Sequence, residues 1–502
     1  MFEPWRIATK QLKTLLLIAS PNRGWDGHVR PLDYPHTGLA YLSASVKTEC
    51  PETRVVVLDL SHHFARKEAA LAAAISKHQP DMVGISVYSS LVRECGEIAV
   101  IVRRYTNAVI VAGGPAISCD GETFLRENPV VDFGIHNEGE APLSLLVQSF
   151  FSNRFDPHAV PNLLWRDGAQ IQRSATPVVF SNIEKLPWPD FSCFDLSLYS
   201  RWGKRYPMVT SRGCPYHCTY CSCPVVTGRK FRARSPESVL AEMRFAYSFG
   251  VREFAFQDDA VNIDINRLKR ICRVILAEGW KIRWSASSGI RANRACIDQE
   301  LFALMRHTGC TWVVFGLESG SPKVLRDIRK GVTVDEVRAA CSMARNAGMS
   351  CVVNLMIGHP TETTADAELT LDTQRSLDAD YCNVSQYVPY PATKGWDDLR
   401  HMEAEGRARF LVAPADCMTR SSQTNCIPIF ETDWFPAKEK ERILRQAFGE
   451  RDRKALRFRL GNVAGELLYR LSRNDLFRRL LESAIEPRTI GAVYQRLKRG
   501  GK

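Results

Sequence analysis

The stretch Ser211-Arg212-Gly213-Cys214-Pro215-Tyr216-His217-Cys218-Thr219-Tyr220-Cys221 decides the reading of this 502-residue chain. It places three cysteines at C-x3-C-x2-C spacing within one short loop. Thiolates are soft donors that suit iron–sulfur clusters and zinc. A closed structural zinc site takes four protein ligands in a paired arrangement. This loop offers three, and no second C-x2-C follows. Cys223 and His217 stand nearby, but the loop is too tight to turn both of them inward as well. Three cysteines on a 4Fe–4S cluster leave one iron without a protein ligand, open to a substrate or cosubstrate. Structural zinc is the rival reading.

Outward from the loop, a strand–helix rhythm repeats six times. Strands are expected at 207–211, 252–256, 281–286, 312–316, 351–356 and 381–388. Ser235-Pro236 supplies a helix N-cap followed by proline at the first helical position, and Thr333 with Glu336 forms a capping box. Gly250, Gly279, Gly309 and Gly348 stand where helices should stop. Six units are too few for a closed eight-fold barrel, so an open, partial (β/α)6 barrel is predicted, its site at the strand ends.

The cysteine loop, with Tyr220 just before the last cysteine, resembles the signature of radical S-adenosylmethionine (SAM) enzymes, and it follows the first barrel strand as in that family. The downstream strands agree. Phe256-Gln257-Asp258-Asp259 resembles the second-strand motif that meets the SAM amino group. The stretch from Trp284 to Arg291 is similar to one that brings an arginine near the SAM carboxylate. Phe315-Gly316-Leu317-Glu318-Ser319-Gly320 resembles the segment whose Glu and Ser lie near the ribose or methionine. Met356-Ile357-Gly358-His359-Pro360-Thr361-Glu362-Thr363 resembles the G-x-P-x-E-T turn whose backbone approaches adenine. The resemblance thus implies Cys214, Cys218 and Cys221 as cluster ligands. It implies Asp258, Asp259, Arg291, Glu318, Ser319, Gly358 and Pro360 around SAM. Tyr387-Val388-Pro389-Tyr390-Pro391-Ala392-Thr393 resembles a P-x-P-G-T turn with Ala392 in place of glycine, and it offers Tyr390 to the substrate pocket.

Ahead of the barrel, strand candidates at 14–19, 54–58, 82–87, 108–111 and 132–135 alternate with helical patterns at 39–48, 67–77, 92–104 and 140–151. Short parallel strands joined by helices form a doubly wound, Rossmann-like sheet with its ligand beyond the carboxyl ends of the strands. Such a domain before a radical SAM barrel resembles the cobalamin-binding subfamily, class B methyltransferase-like. The likeness is carried by Leu15-Leu16-Leu17 with Pro21, by 38–44 and 80–86, by Val111-Ala112-Gly113-Gly114-Pro115 and by Glu138-Gly139-Glu140. It implies cobalamin against Gly84, Ser86, Gly113, Gly114 and Glu138. In Asp26-Gly27-His28-Val29-Arg30-Pro31 the cobalt-ligating D-x-H-x-x-G pattern ends in proline, so His28 reads as a loop histidine.

Boundaries are expected at 1–155 for the cobalamin-binding domain, 156–205 for a proline-rich linker with a hairpin near 162–173, 206–400 for the radical SAM core and 401–502 for a helical, basic carboxy-terminal domain. Helices are expected at 437–448 and 453–484, with Leu456, Leu460, Leu467, Leu468 and Leu471 as an apolar stripe. From Lys438 onward, eighteen Lys and Arg face eight Asp and Glu, so most of the formal charge of +12 lies there. Such a tail suits solvated helix faces or an anionic partner, including a membrane surface. No apolar run approaches a membrane span, and 15–19 is too short for a signal-peptide core, so a cytoplasmic location is expected. Sixteen cysteines scattered over a chain of this size read mainly as reduced, buried thiols.

What the resemblance implies is an enzyme using a 4Fe–4S cluster, SAM and cobalamin to methylate an unactivated carbon or phosphorus centre. An external one-electron donor such as flavodoxin or ferredoxin would supply the cluster. A rival keeps the cofactors but cyclises or contracts a ring. A non-catalytic metal- or nucleic-acid-binding module predicts instead tight zinc and salt-sensitive polyanion binding.

Overall fold

The computed structural model describes residues 14–21, 29, 31–151, 155–175, 182–199, 205–286, 289–419 and 426–472. Its first unit holds β1 (Thr14–Ala19), α1 (Thr37–Glu49), β2 (Arg54–Asp59), α2 (Lys67–His78), β3 (Met82–Ser86), α3 (Val92–Tyr105), β4 (Val109–Gly113), α4 (Pro115–Glu127), β5 (Phe133–Ile135), α5 (Glu140–Phe151), β6 (Leu163–Asp167) and β7 (Gln170–Arg173). One sheet runs β2-β1-β3-β4-β5-β6-β7. Its first five strands pair in parallel and the last two antiparallel. The chain reverses its winding between β1 and β3, which opens a crevice at their carboxyl ends. The Leu15–Ile18 run is at most 1% exposed, as a parallel strand covered on both faces requires.

Two features differ from the sequence reading. The 162–173 hairpin is β6–β7, an antiparallel edge of this sheet, so the first unit reaches past residue 155. Helix α4 was not foreseen, because its apolar pattern is broken at Asp120, which leaves helical geometry. Its start is nevertheless legible as proline in the first turn after Gly114.

The second unit contains β8 (Arg205–Met208), β9 (Ser211–Arg212), α6 (Cys223–Thr227), β10 (Arg232–Ala233), α7 (Pro236–Ser248), β11 (Glu253–Phe256), α8 (Ile265–Ala277), β12 (Arg283–Ala286), α9 (Gln299–His307) and β13 (Trp312–Glu318). It continues with α10 (Pro322–Asp327), α11 (Val334–Asn346), β14 (Ser350–Ile357), α12 (Thr364–Ser376), β15 (Tyr381–Gln386) and α13 (Lys394–Ala404). Six parallel strands form two arcs, β8-β11-β12 and β13-β14-β15. Single bridges from Trp284 to Cys310 and from Ile290 to Phe315 join the arcs. This is the partial barrel, with β8 and β15 at its edges. The capping box of Thr333 and Glu336 forms in both directions.

Beyond the barrel come β16 (Ala408–Phe410) and β17 (Phe430–Thr432), an antiparallel pair absent from the sequence reading, then α14 (Ala437–Leu460) and α15 (Asn462–Ser472). The helix expected over 453–484 instead begins inside α14, and the chain breaks at Gly461 before α15; its part beyond 472 lies outside the described residues. Leu467 and Leu471 of the expected stripe are 59% and 39% exposed. Ile443, Leu444 and Ala447 of α14 join one buried apolar cluster that runs from β1 through the barrel.

Candidate active site

The cysteine loop leaves β9 through Gly213, whose φ of +81° favours glycine and whose added Cβ would stand 2.2 Å from the Lys230 carbonyl oxygen. Backbone contacts anchor the loop. The Thr219 N–H donates to the Ile328 carbonyl at 3.0 Å, and the Gly395 N–H donates to the Thr219 carbonyl at 2.8 Å. Arg229 donates to the Tyr216 carbonyl at 2.9 Å.

Asp258 and Asp259, at the end of β11, brace the same loop. Asp258 is buried, accepts from the Thr210 N–H at 2.7 Å and the Ser211 hydroxyl at 2.6 Å, and takes the Thr210 hydroxyl as well. Burial raises its carboxyl, against the pull of Arg267. Asp259 accepts from the Gly213 N–H and the Thr227 hydroxyl, both at 2.8 Å. Expected at the SAM amino group, both carboxylates are in place here as struts of the cysteine loop. Arg291 lies 3.7 Å over the Tyr216 ring and donates to the Lys330 carbonyl at 2.6 Å, so it too is built against the loop.

Glu318 ends β13 with φ of +77°, at a register shift in the pairing with β14. Such backbone in a non-glycine residue gathers at functional sites. Its carboxylate accepts from Lys330 at 2.8 Å, and Lys330 donates to the Tyr220 hydroxyl at 2.9 Å. Ser319 is buried and holds its own turn through the Thr370 hydroxyl and the Ser321 N–H, both at 3.1 Å. Gly358 has φ of +104°, which turns the chain at the end of β14 toward Pro360. Ala392, where the resemblance expects glycine, keeps the left-handed φ of +62°, so that turn survives the substitution.

At the crevice of the first sheet, Gly84, Ser86, Gly113, Gly114 and Glu138 line one cavity of about 450 Å³, together with Tyr34, His36, Tyr88, Arg212 and Gln257. A Cβ on Gly84 would stand 2.7 Å from Leu17. This glycine-floored crevice fits a broad, flat cofactor laid on the strand ends. His28 lies outside the described residues. His36 caps α1, its Nδ1 accepting from the Leu39 N–H at 3.3 Å, and its Nε2 meets the Tyr88 hydroxyl at 2.6 Å.

The cavity wall belongs to both units. Arg212, two residues before Cys214, pairs with Glu138 at 3.1 Å and Glu140 at 2.6 Å, while Arg232 pairs with Glu138 at 2.8 Å. All four side chains are at most 11% exposed. Burial raises the Glu140 carboxyl, but Arg212 more than offsets this and its net pKa is lowered. Gln257 donates to Tyr34 across the same boundary at 3.1 Å. Tyr390 faces this junction: burial, then the charges of Cys119 on α4 and Cys221 in the loop, push its hydroxyl up to about 12.

The three loop thiols are half-buried. Burial pushes the Cys214 thiol up, and Cys221 and Cys218 add to this, so the sulfurs lie within reach of one another's charge. Among the described residues, no three His, Cys, Asp or Glu groups close on a common point as for a single metal ion. Three neighbouring soft donors on one loop suit a polynuclear iron–sulfur group. Cys223 hydrogen-bonds the Cys221 sulfur, lowering the Cys221 thiol and raising its own.

Two family models match this layout. Residues 26–147 match the B12 binding domain, and residues 208–373 match the radical SAM superfamily. The chain is a B12-binding radical SAM enzyme. It is similar to an uncharacterised methyltransferase of Pyrococcus horikoshii, with 28% identity over 86% of this chain and 91% of the relative. An anaerobic magnesium-protoporphyrin IX monomethyl ester cyclase of Cereibacter sphaeroides is 25% identical over 77% of this chain and 63% of its own length. The fold is shared with the radical SAM methyltransferase TsrM of Kitasatospora setae, solved with cobalamin and a 4Fe–4S cluster, at TM-score 0.69 and 20% identity over 93% of this chain and 99% of that one.

The sequence reading of this B12-binding radical SAM enzyme did not single out Lys330, Arg212, Arg232 or Glu140 as paired groups. Lys330 sits in a surface-like Arg-Lys-Gly turn twelve residues past its partner, with no pattern that links them. Arg212 was quoted as part of the loop. Its partners lie more than seventy residues away, with no local pattern to link them.

Proposed function

We propose that the enzyme is a cobalamin-dependent radical SAM methyltransferase acting on an unactivated carbon or phosphorus centre of a small molecule. The observation that carries this reading is the shared wall, in which Arg212 binds the glutamates of the cobalamin crevice and leads directly into the cysteine loop. When bound, the cluster and SAM supply a hydrogen-abstracting 5′-deoxyadenosyl radical and cobalamin supplies a transferable methyl group. The chain's own residues place these centres next to each other, which is where proximity yields rate. Cys214, Cys218 and Cys221 would hold the cluster. The Glu318, Gly358 and Pro360 backbone and side chains would frame SAM, and Tyr390 would border the substrate between the two units. The methyltransferase names of the archaeal relative and of TsrM support this assignment.

The cyclase relative supports a second reading, in which the same cofactors close a ring. The two separate in one assay. Methyl transfer yields methylated product and S-adenosylhomocysteine beside 5′-deoxyadenosine; 5′-deoxyadenosine without S-adenosylhomocysteine would refute the first reading. Gly113→Val places an isopropyl group on the cavity lining. It is expected to leave iron content unchanged and lower bound cobalamin per chain by at least about tenfold, read from absorbance, since cavities of this kind do not absorb added bulk. Full cobalamin retention would move the cofactor elsewhere.

A one-electron protein donor, flavodoxin or ferredoxin in class, completes the proposed scheme. No described helix is long and apolar enough to cross a membrane. A cytoplasmic location and peripheral contact through the basic carboxy-terminal segment are part of the proposal, tested by vesicle co-sedimentation.

A further inference from the structure

The carboxy-terminal segment grips the 358–364 turn at three points. Lys440, in the first turns of α14, is 1% exposed, and its Nζ reaches the Gly358 carbonyl at 3.5 Å and the Phe430 carbonyl at 3.1 Å. The Trp434 indole N–H donates to the Pro360 carbonyl at 3.0 Å, and the Thr364 N–H donates to the Trp434 carbonyl at 3.4 Å. The lysine stem also packs on Gly358 itself, since a Cβ there would meet Lys440 Cδ at 3.3 Å.

The preceding peptide, which carries the Gly358 N–H, is held by a carboxylate. Glu362, with 0% exposure, accepts from the Gly358 N–H through Oε2, while its Oε1 has no hydrogen-bond partner among the described residues. Gly358 is therefore held on both sides, by the Lys440 amine at its carbonyl and a carboxylate at its N–H, in a left-handed conformation. The Lys440 amine lies 3.8 Å over the Phe430 ring, so carbonyls and an aromatic face surround it. Burying a cation at this depth is costly. A methionine or leucine would fill the same volume without that cost, so packing does not account for the charge. Burial pushes the Glu362 carboxyl up to about 7 and the Lys440 amine down to about 7.

We propose that Lys440, supplied by the carboxy-terminal helix, is a positioning residue that fixes the orientation of the Gly358 peptide and thereby the adenine end of the SAM site. This rests on the reading that the 358–363 turn meets adenine. The carboxy-terminal segment is then a working part of the SAM site, and Trp434 supports the same turn one peptide further on.

The test uses full-length, reconstituted protein, with SAM and free methionine each titrated against the electron paramagnetic resonance signal of the reduced cluster. Lys440→Met, which keeps volume and loses the donor, is expected to raise the SAM dissociation constant up to about tenfold, the range of a lost hydrogen bond. Methionine, which lacks adenine, should bind as before, and cleavage at saturating SAM should keep its rate while KM rises. Unchanged SAM affinity in a variant with normal iron content and melting temperature would overturn the proposal. Equal weakening of SAM and methionine would instead refute the placement of adenine at this turn. Should Lys440→Met fail to fold, Trp434→Phe removes the bond to Pro360 while keeping an aromatic ring beside Arg407, and should weaken SAM about fivefold; no change there would also overturn the proposal.

Discussion

Cys218→Ala is expected to abolish cluster assembly and reductive SAM cleavage together, with iron per chain falling to background after anaerobic reconstitution. The C-x3-C-x2-C loop offers three thiols, and the next one, Cys223, belongs to the start of α6 with its sulfur 3.5 Å from the Thr227 hydroxyl. Loss of one donor leaves two, too few to hold four irons against competing thiols. The fold should survive, since Cys218 is half-buried and Asp259, Ile328 and Gly395 hold the loop through protein contacts. A melting temperature within a few degrees of wild type would accompany the loss. Cleavage retained by Cys218→Ala would place the cluster on other residues.

The second large effect is expected from Arg212→Met. It strands Glu138 and Glu140, which are 4% and 6% exposed, without their shared partner. Removing one member of a buried ion-pair network costs about 3–5 kcal/mol, because the remaining charge keeps its desolvation penalty. Arg232 still reaches Glu138, so the unpaired charge falls mainly on Glu140. Denaturant unfolding would measure the loss, and bound cobalamin should decline with it because Arg212 lines that cavity. The sign of the pH dependence follows from the lowered Glu140 carboxyl. Its contribution is present above the ordinary carboxylate range and is lost as pH falls, so the gap between wild type and variant should narrow below about pH 4. As a contrast, Arg244 pairs with Glu278 at 54% and 33% exposure; Arg244→Ala should cost at most about 1 kcal/mol. Similar losses from both variants would remove the case that the network joins the two units.

Most of the fold was legible because its elements announce themselves locally. The short Leu15–Ile18 run reads as a strand buried on both faces, and Thr333 with Glu336 marks a helix start without tertiary information. The three cysteines were equally plain, since their spacing is itself the signal. What the sequence hides are partners distant along the chain. Asp258 and Asp259 sit in a recognisable motif, yet their hydrogen bonds run to Thr210, Ser211, Gly213 and Thr227. Lys440 lies in a run of Lys and Glu that reads as a solvated helix face, and only the packing of α14 on α12, β15 and β17 puts it at Gly358. Helix α4 and the β16–β17 pair were missed for the opposite reason: each is short or kinked, and its periodicity is too weak to register.

The central claim is that the Cys214, Cys218 and Cys221 loop holds an iron–sulfur cluster with one iron open to SAM. Metal and sulfide analysis of anaerobically reconstituted protein, followed by electron paramagnetic resonance of the reduced form with and without SAM, tests it most directly. The account predicts about four irons and four sulfides per chain and a signal that shifts on adding SAM. One tightly bound zinc per chain, or a cluster signal indifferent to SAM, would contradict it.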